Sequence, residues 1–188
     1  MDLSLKGMRA LVCGSSQGIG KEIAIELANE GVEVLLIARN EEKLNSVLNE
    51  LSKKNNQNHR YIVADFENES DLKNKIEKFT SDNKIKIDIL INNSGGPPPG
   101  KITDAKISDF EKYMKMHLHC SHLLTQLFLP NMKKNRYGRI INIISISVKS
   151  PINNLGVSNT VRWAMASWAK TLSNEVAEYG ITVNNILP

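Results

Sequence analysis

Ala10-Leu11-Val12-Cys13-Gly14-Ser15-Ser16-Gln17-Gly18-Ile19-Gly20 decides how the rest of the chain is read. Four apolar residues of strand length run directly into three glycines, and a helix-patterned segment, Ile19 to Asn29, follows without a spacer. Glycines permit a tight turn and let a ligand approach the backbone, while the free N–H groups of a helix start supply the positive end of its dipole. A glycine triplet alone is a weak signal. Between a first strand and a first helix it predicts a cradle for the pyrophosphate of a dinucleotide, a structural turn being the alternative.

The remainder of the chain repeats the same rhythm. Runs rich in Val, Ile and Leu at 10–13, 32–38, 59–63, 87–92, 139–144 and 181–186 predict strands. Most are continuously apolar rather than alternating, as strands covered on both faces are. Segments 19–29, 41–53, 69–81, 108–133 and 157–179 predict helices. Ser108-Asp109-Phe110-Glu111 has capping-box spacing and marks the start of the fourth. In the last, Val157, Val161, Ala164, Met165, Trp168, Leu172 and Val176 keep a helical period and form its inner face. Six strands alternating with five helices predict an α/β doubly wound parallel sheet, a Rossmann fold with strand order 3-2-1-4-5-6 and helices on both faces.

Composition bounds the function classes. The chain has 188 residues, 41% hydrophobic and 23% charged, close to ordinary globular proteins, so one domain over 1–188 suffices. No apolar run approaches the roughly 18 residues of a membrane span, and Met1 to Lys6 lacks the apolar core of a signal peptide; a cytoplasmic protein with no membrane partner is expected. Cys13 and Cys120 belong to no paired spacing and read as small buried residues. The net charge of +4 is scattered among acids, and the basic knot around Lys133-Lys134-Asn135-Arg136 reads as a solvated loop; no nucleic-acid partner is expected. His117, His119, Cys120 and His122 are close in sequence, but 117 and 119 point to nearly opposite sides of a helix, so no metal site is expected.

The three-residue gap between Gly14 and Gly18 resembles the loop of the short-chain dehydrogenase/reductase family, Thr-Gly-x-x-x-Gly-Ile-Gly, with Cys13 in place of Thr. The resemblance continues in order through Asp65, Asn92-Asn93-Ser94-Gly95 (the family's Asn-Asn-Ala-Gly), Gly138 to Ser145 and Gly180-Ile181-Thr182-Val183-Asn184. It implies a nicotinamide cofactor held by Gly14, Ser16, Gln17, Gly18, Ile19, Gly20, Asp65, Asn93 and Gly95. The second strand ends Ala38-Arg39-Asn40, where an NAD site would want a carboxylate for the ribose hydroxyls. Arg39 can instead grip a 2′-phosphate with a planar fork of donors, which favours NADP(H) over NAD(H); its bland reading is an exposed Arg at a strand end.

The family's catalytic Asn, Ser and Tyr-x-x-x-Lys map here onto His117, Ser145, Ser158 and Arg162. None of Tyr61, Tyr113, Tyr137 and Tyr179 has Lys four residues on. With the Pro-rich segment 92–100, the Ser-x-x-x-Arg pattern is similar to a divergent branch resembling 3-oxoacyl-carrier-protein reductases. An aliphatic hydroxyl is about five pK units less acidic than a phenol, roughly 7 kcal/mol as an upper bound on full alkoxide formation. Arg162 will not yield its proton, and His117 is the one group at these positions that titrates near neutrality. Tyr113, His117, Cys120 and Leu124 share a helical face, so His117 reads equally as a packed core residue or a catalyst.

Two readings follow. The first is an NADP(H)-dependent oxidoreductase acting on a small-molecule carbonyl or alcohol, 3-oxoacyl reductase-like, with Ser145 orienting substrate. The second is a catalytically degenerate nucleotide-binding or assembly protein on the same fold. By resemblance the long fourth and fifth helices imply a homo-oligomer, dimer or tetramer. The sequence ends at Leu187-Pro188, where the family continues into a substrate-covering segment and a seventh strand; a longer parent protein is the expectation.

Overall fold

In the computed structural model, which describes residues 3–83 and 85–188, the chain forms one six-stranded, all-parallel sheet in the order β3-β2-β1-β4-β5-β6. The reading of the first six residues falls in part on Met1 and Asp2, which lie outside the described residues. The strands are β1 Arg9–Cys13, β2 Glu33–Ala38, β3 Arg60–Val63, β4 Ile89–Asn92, β5 Gly138–Ile143 and β6 Ile181–Ile186. The helices are α1 Gly18–Asn29, α2 Glu41–Glu50, α3 Glu69–Asp82, α4 Ile107–Met114, α5 Cys120–Asn135 and α6 Gly156–Val176. Among the described residues no helix is long and apolar enough to cross a membrane.

The strand period of two divides the core cleanly. Leu11 and Cys13 of β1 join Leu35, Ile37, Leu72, Leu124 and Leu172 on the face covered by α3, α5 and α6. Ala10 and Val12 join Val34, Leu36, Ala24, Ala28, Leu44 and Val47 on the face covered by α1 and α2. Fully burying one such aliphatic side chain is worth about 1.5–3 kcal/mol, so the two layers lock the sheet between them. Cys13 and Cys120 are free and buried; Cys120 Sγ donates to the Phe66 carbonyl, and burial pushes both thiols well above their ordinary pKa, Cys120 to about 12.

Element boundaries depart from the sequence reading for local reasons. β4 starts at Ile89 rather than 87 because Asp88 turns its carboxylate to the Arg9 N–H at 3.0 Å. The second helix stops at Glu50, where Leu51 adopts extended backbone and buries its side chain. The fourth predicted helix begins at Ile107, and its reciprocal cap is Asp109 accepting from the Lys106 N–H at 3.1 Å, not Ser108. It is also not uniform: a π turn over Lys115–His119 separates α4 from α5. The last helix ends at Val176 and tightens into a 3₁₀ turn over Ala177–Tyr179.

Two polar devices hold the carboxyl ends of the strands in line. Asn92, Asn142 and Asn185 stand side by side on β4, β5 and β6, and their amides chain across the sheet at 2.8 and 2.9 Å. Ser15 is fully buried, and its Oγ accepts from the Ile37 N–H at 3.0 Å while its own N–H donates to the Ile37 carbonyl at 3.3 Å. Ser15→Ala leaves that strand N–H unpaired and is expected to destabilise the fold by about 1–3 kcal/mol. Urea denaturation should show a lower midpoint with an unchanged slope.

Candidate functional site

The glycine turn, the end of β2, the loop after β3 and the end of β4 enclose a cleft of about 330 Å³. Gly14, Ser16, Gln17, Gly18, Ile19, Arg39, Asp65, Asn93 and Gly95, all singled out from the sequence, line it. Gly20 does not. It packs behind the wall, where a Cβ would collide with the Gly14 carbonyl oxygen and meet the Asn93 amide at 2.7 Å. Gly18 has φ +56 with open space where its side chain would be, so the backbone itself forms that part of the wall.

The helix ends around the cleft differ in a telling way. α2 and α3 are closed by Asn40 and Asn68, whose side chains accept from the Lys43 and Asp71 N–H groups. α1 has no side-chain cap at Gln17 and no acid in its first turn, so its leading N–H groups remain available to an anion. A pyrophosphate fits this donor set in charge and in room.

Asn93 acts on the turn itself. Its Nδ2 donates to the carbonyls of Cys13 at 3.2 Å and Gly14 at 3.3 Å, tying β4 to the glycine loop. Arg39 is two-thirds exposed and stands 3.9 Å from Asp65 and 3.8 Å from Glu67. Lys43 Nζ reaches Gln17 Oε1 at 2.7 Å beside it.

Of the four residues matched to catalysis, the structure joins His117 and Arg162, together with one partner the sequence reading missed. His117 lies at the centre of the π turn and is 4% exposed. Its Nδ1 is 2.8 Å from Ser94 Oγ and 3.4 Å from Arg162 Nη1. Arginine only donates, so Nδ1 is the acceptor toward Arg162 and Ser94 donates to it; the backbone of Gly95 also bonds the imidazole. Burial, then the neighbouring Arg162 charge, lower the His117 pKa to about 3. Arg162 is 8% exposed on the inner face of α6, and its Nη1 also donates to the Ile143 carbonyl at 3.0 Å. Ser145, at the end of β5, accepts from the Ser147 N–H; Ser158 is half-buried one helical turn before Arg162. Ser94 stood in the sequence where the resembled family has Ala, and that exchange was the available signal; its partner is 23 residues away.

Comparison with known proteins agrees with this fold. A sequence model described as short chain dehydrogenase matches residues 8–188. A 3-oxoacyl-[acyl-carrier-protein] reductase of Rickettsia felis is 35% identical over 188 residues, 99% of this chain and 73% of that protein. The structure of L-sorbose reductase from Gluconobacter frateurii, complexed with NADPH and L-sorbose, superposes with a TM-score of 0.92 at 29% identity, covering 100% of this chain and 71% of that one. An NAD⁺-bound xylitol dehydrogenase superposes with a TM-score of 0.86 at 26% identity, covering 98% of this chain and 70% of its own.

The His117 environment makes stability depend on pH. Between a folded value of about 3 and the ordinary 6.5, the unfolded chain binds a proton that the folded chain refuses. Stability therefore rises with pH across that window and is lost as pH falls through it, by up to a few kcal/mol. His59, also lowered by burial, adds a slope of the same sign, so the comparison must be with a variant. Denaturation midpoints from pH 4 to 7.5 should fall more steeply with acid in the native chain than in His117→Asn.

Proposed function

The chain belongs to the short-chain dehydrogenase family, and on that premise we propose that it is an NADP(H)-dependent oxidoreductase of a carbonyl/alcohol pair. The observation that carries the reading is the uncapped start of α1 facing a glycine-walled cleft with Arg39 at one end and the Ser145/Ser158 region beyond the other. In this assignment the cofactor supplies the hydride. Gly14, Ser16, Gln17, Gly18 and Ile19 take the pyrophosphate with backbone donors, Asp65 takes the adenine end, and Asn93 and Gly20 hold the turn in shape.

Relatives of this fold carry either NADPH or NAD⁺. Arg39 tips the choice to NADP(H). Its contacts with Asp65 and Glu67 are long and exposed, a class of ion pair worth about 0–1 kcal/mol, whereas a bidentate phosphate is a stronger partner. Arg39→Asp should weaken NADPH binding about 10- to 100-fold and leave NADH binding unchanged or improved, measured by calorimetric titration. Equal loss for both nucleotides would exclude a 2′-phosphate contact.

On the substrate side, Ser145 orients the carbonyl, and the Ser158 hydroxyl, or water beside it, carries the proton. His117 holds Ser94 and Arg162 in place rather than titrating: it is neutral at working pH, with Nδ1 occupied. Arg162 stays charged although burial lowers its pKa. General acid–base help is worth about 10² to 10⁴ in rate, so slow turnover follows from this set of groups. The same scarcity of a proton donor favours the second reading, a nucleotide-binding or assembly protein without turnover. A screen of aldehydes, ketones and 3-oxoacyl thioesters at high protein concentration separates them. Detectable NADPH oxidation, raised by Ser158→Tyr/Arg162→Lys, supports the enzyme; silence with intact NADPH binding supports the other. A groove of about 520 Å³ beside Leu118, Leu123, Leu127 and Trp168 is the face we assign to contact with a second copy.

A further inference from the structure

The guanidinium of Arg162 is a buried charge without a counter-charge. Among the described residues no carboxylate stands within ion-pair distance of it, and its Nε has no hydrogen-bond partner. Its Nη1 is used twice, by neutral acceptors: the Ile143 carbonyl and His117 Nδ1. A buried cation of this kind is strongly unfavourable unless something negative completes it.

The remaining donor group, Nη2, lies 3.3 Å from the position that a Cβ on Gly96 would occupy. Glycine at 96 thus leaves that face of the guanidinium without a side chain over it. Gly96 sits between Gly95, in the wall of the cofactor cleft, and Pro97, in the wall of an adjoining cavity of about 400 Å³ that Tyr113 and Val157 also line. Tyr113 in turn stacks on His117, with ring centroids 6.4 Å apart.

We propose that Arg162 is the anchor for a carboxylate of the substrate, entering over Gly96, and that the chain acts on short oxo acids rather than on esters or thioesters. Ser158 precedes Arg162 by one helical turn, so the carboxylate and the reacting carbonyl are only a few bonds apart. An acceptor-only, negatively charged group at Nη2 compensates the buried charge; a neutral carbonyl or ribose hydroxyl leaves it uncompensated. The proposal rests on the oxidoreductase reading above for the chemistry, but the anion site is testable without turnover.

The test is calorimetric titration of the full chain, with and without NADPH, by phenylglyoxylate and acetoacetate and by the methyl ester of each. The acids are expected to bind about tenfold or more tightly than their esters in at least one of the two states. Arg162→Gln should abolish that preference and Arg162→Lys keep part of it. Gly96→Val, which covers Nη2 without removing any side chain of the buried cluster, should abolish it too and keeps the test open if Arg162→Gln does not fold. Equal binding of acid and ester in both states, or a preference that survives both Arg162→Gln and Gly96→Val, overturns the proposal. NADPH binding in the same titrations judges the oxidoreductase reading separately.

Discussion

The side-chain amide of Asn93 is the tie on which the site depends. By donating to the carbonyls of Cys13 and Gly14 it joins the end of β4 to the end of β1 at the point where the chain reverses into α1. That contact is available only because Gly14 and Gly20 carry no side chains: a Cβ on either would come within 2.8 Å of Asn93 or of the loop's own backbone. Ser15 then fastens the same turn to β2 through Ile37. Three strands that meet through the crossover topology are thereby fixed at their carboxyl ends, and the helix start they surround keeps its N–H groups free.

Much of this was legible along the chain because it is local. The apolar runs of β1, β2 and β4 and the helical spacing of Val161, Met165, Leu172 and Val176 are patterns of near neighbours, and right-handed crossovers leave 3-2-1-4-5-6 as the natural order for such a chain. The features that escaped are made by residues far apart. Ser94 and His117 meet across 23 positions, and no local signal announces the π turn that presents His117 to Ser94 and Arg162 together. Such turns are uncommon in helices and concentrate at functional sites. The capping box was misplaced for a different, local reason: Ser108 matches the expected residue type, yet it is Asp109 that reaches back to Lys106, three residues away.

Electrostatics divides the cleft into two unlike ends. At the β2 end Arg39 is exposed, at long range from Asp65 and Glu67, and cheap to redirect toward a new partner. At the other end Arg162 is enclosed, held by a carbonyl and an imidazole, and costly to leave without an anion. One cation suits a phosphate arriving from solvent. The other, enclosed, is the one to which the proposal assigns the substrate carboxylate.

The row of amides formed by Asn92, Asn142 and Asn185 adds a quality that apolar packing alone cannot. Valine or isoleucine in those places would tolerate sliding of one strand against the next, since grease fits grease at many offsets. The amide chain forms where Asn92, Asn142 and Asn185 stand abreast, and a slip of one residue breaks both of its bonds. It works as a vernier: whatever the helices do on either face, Ser145 and its neighbours at the strand tips stay at a constant height.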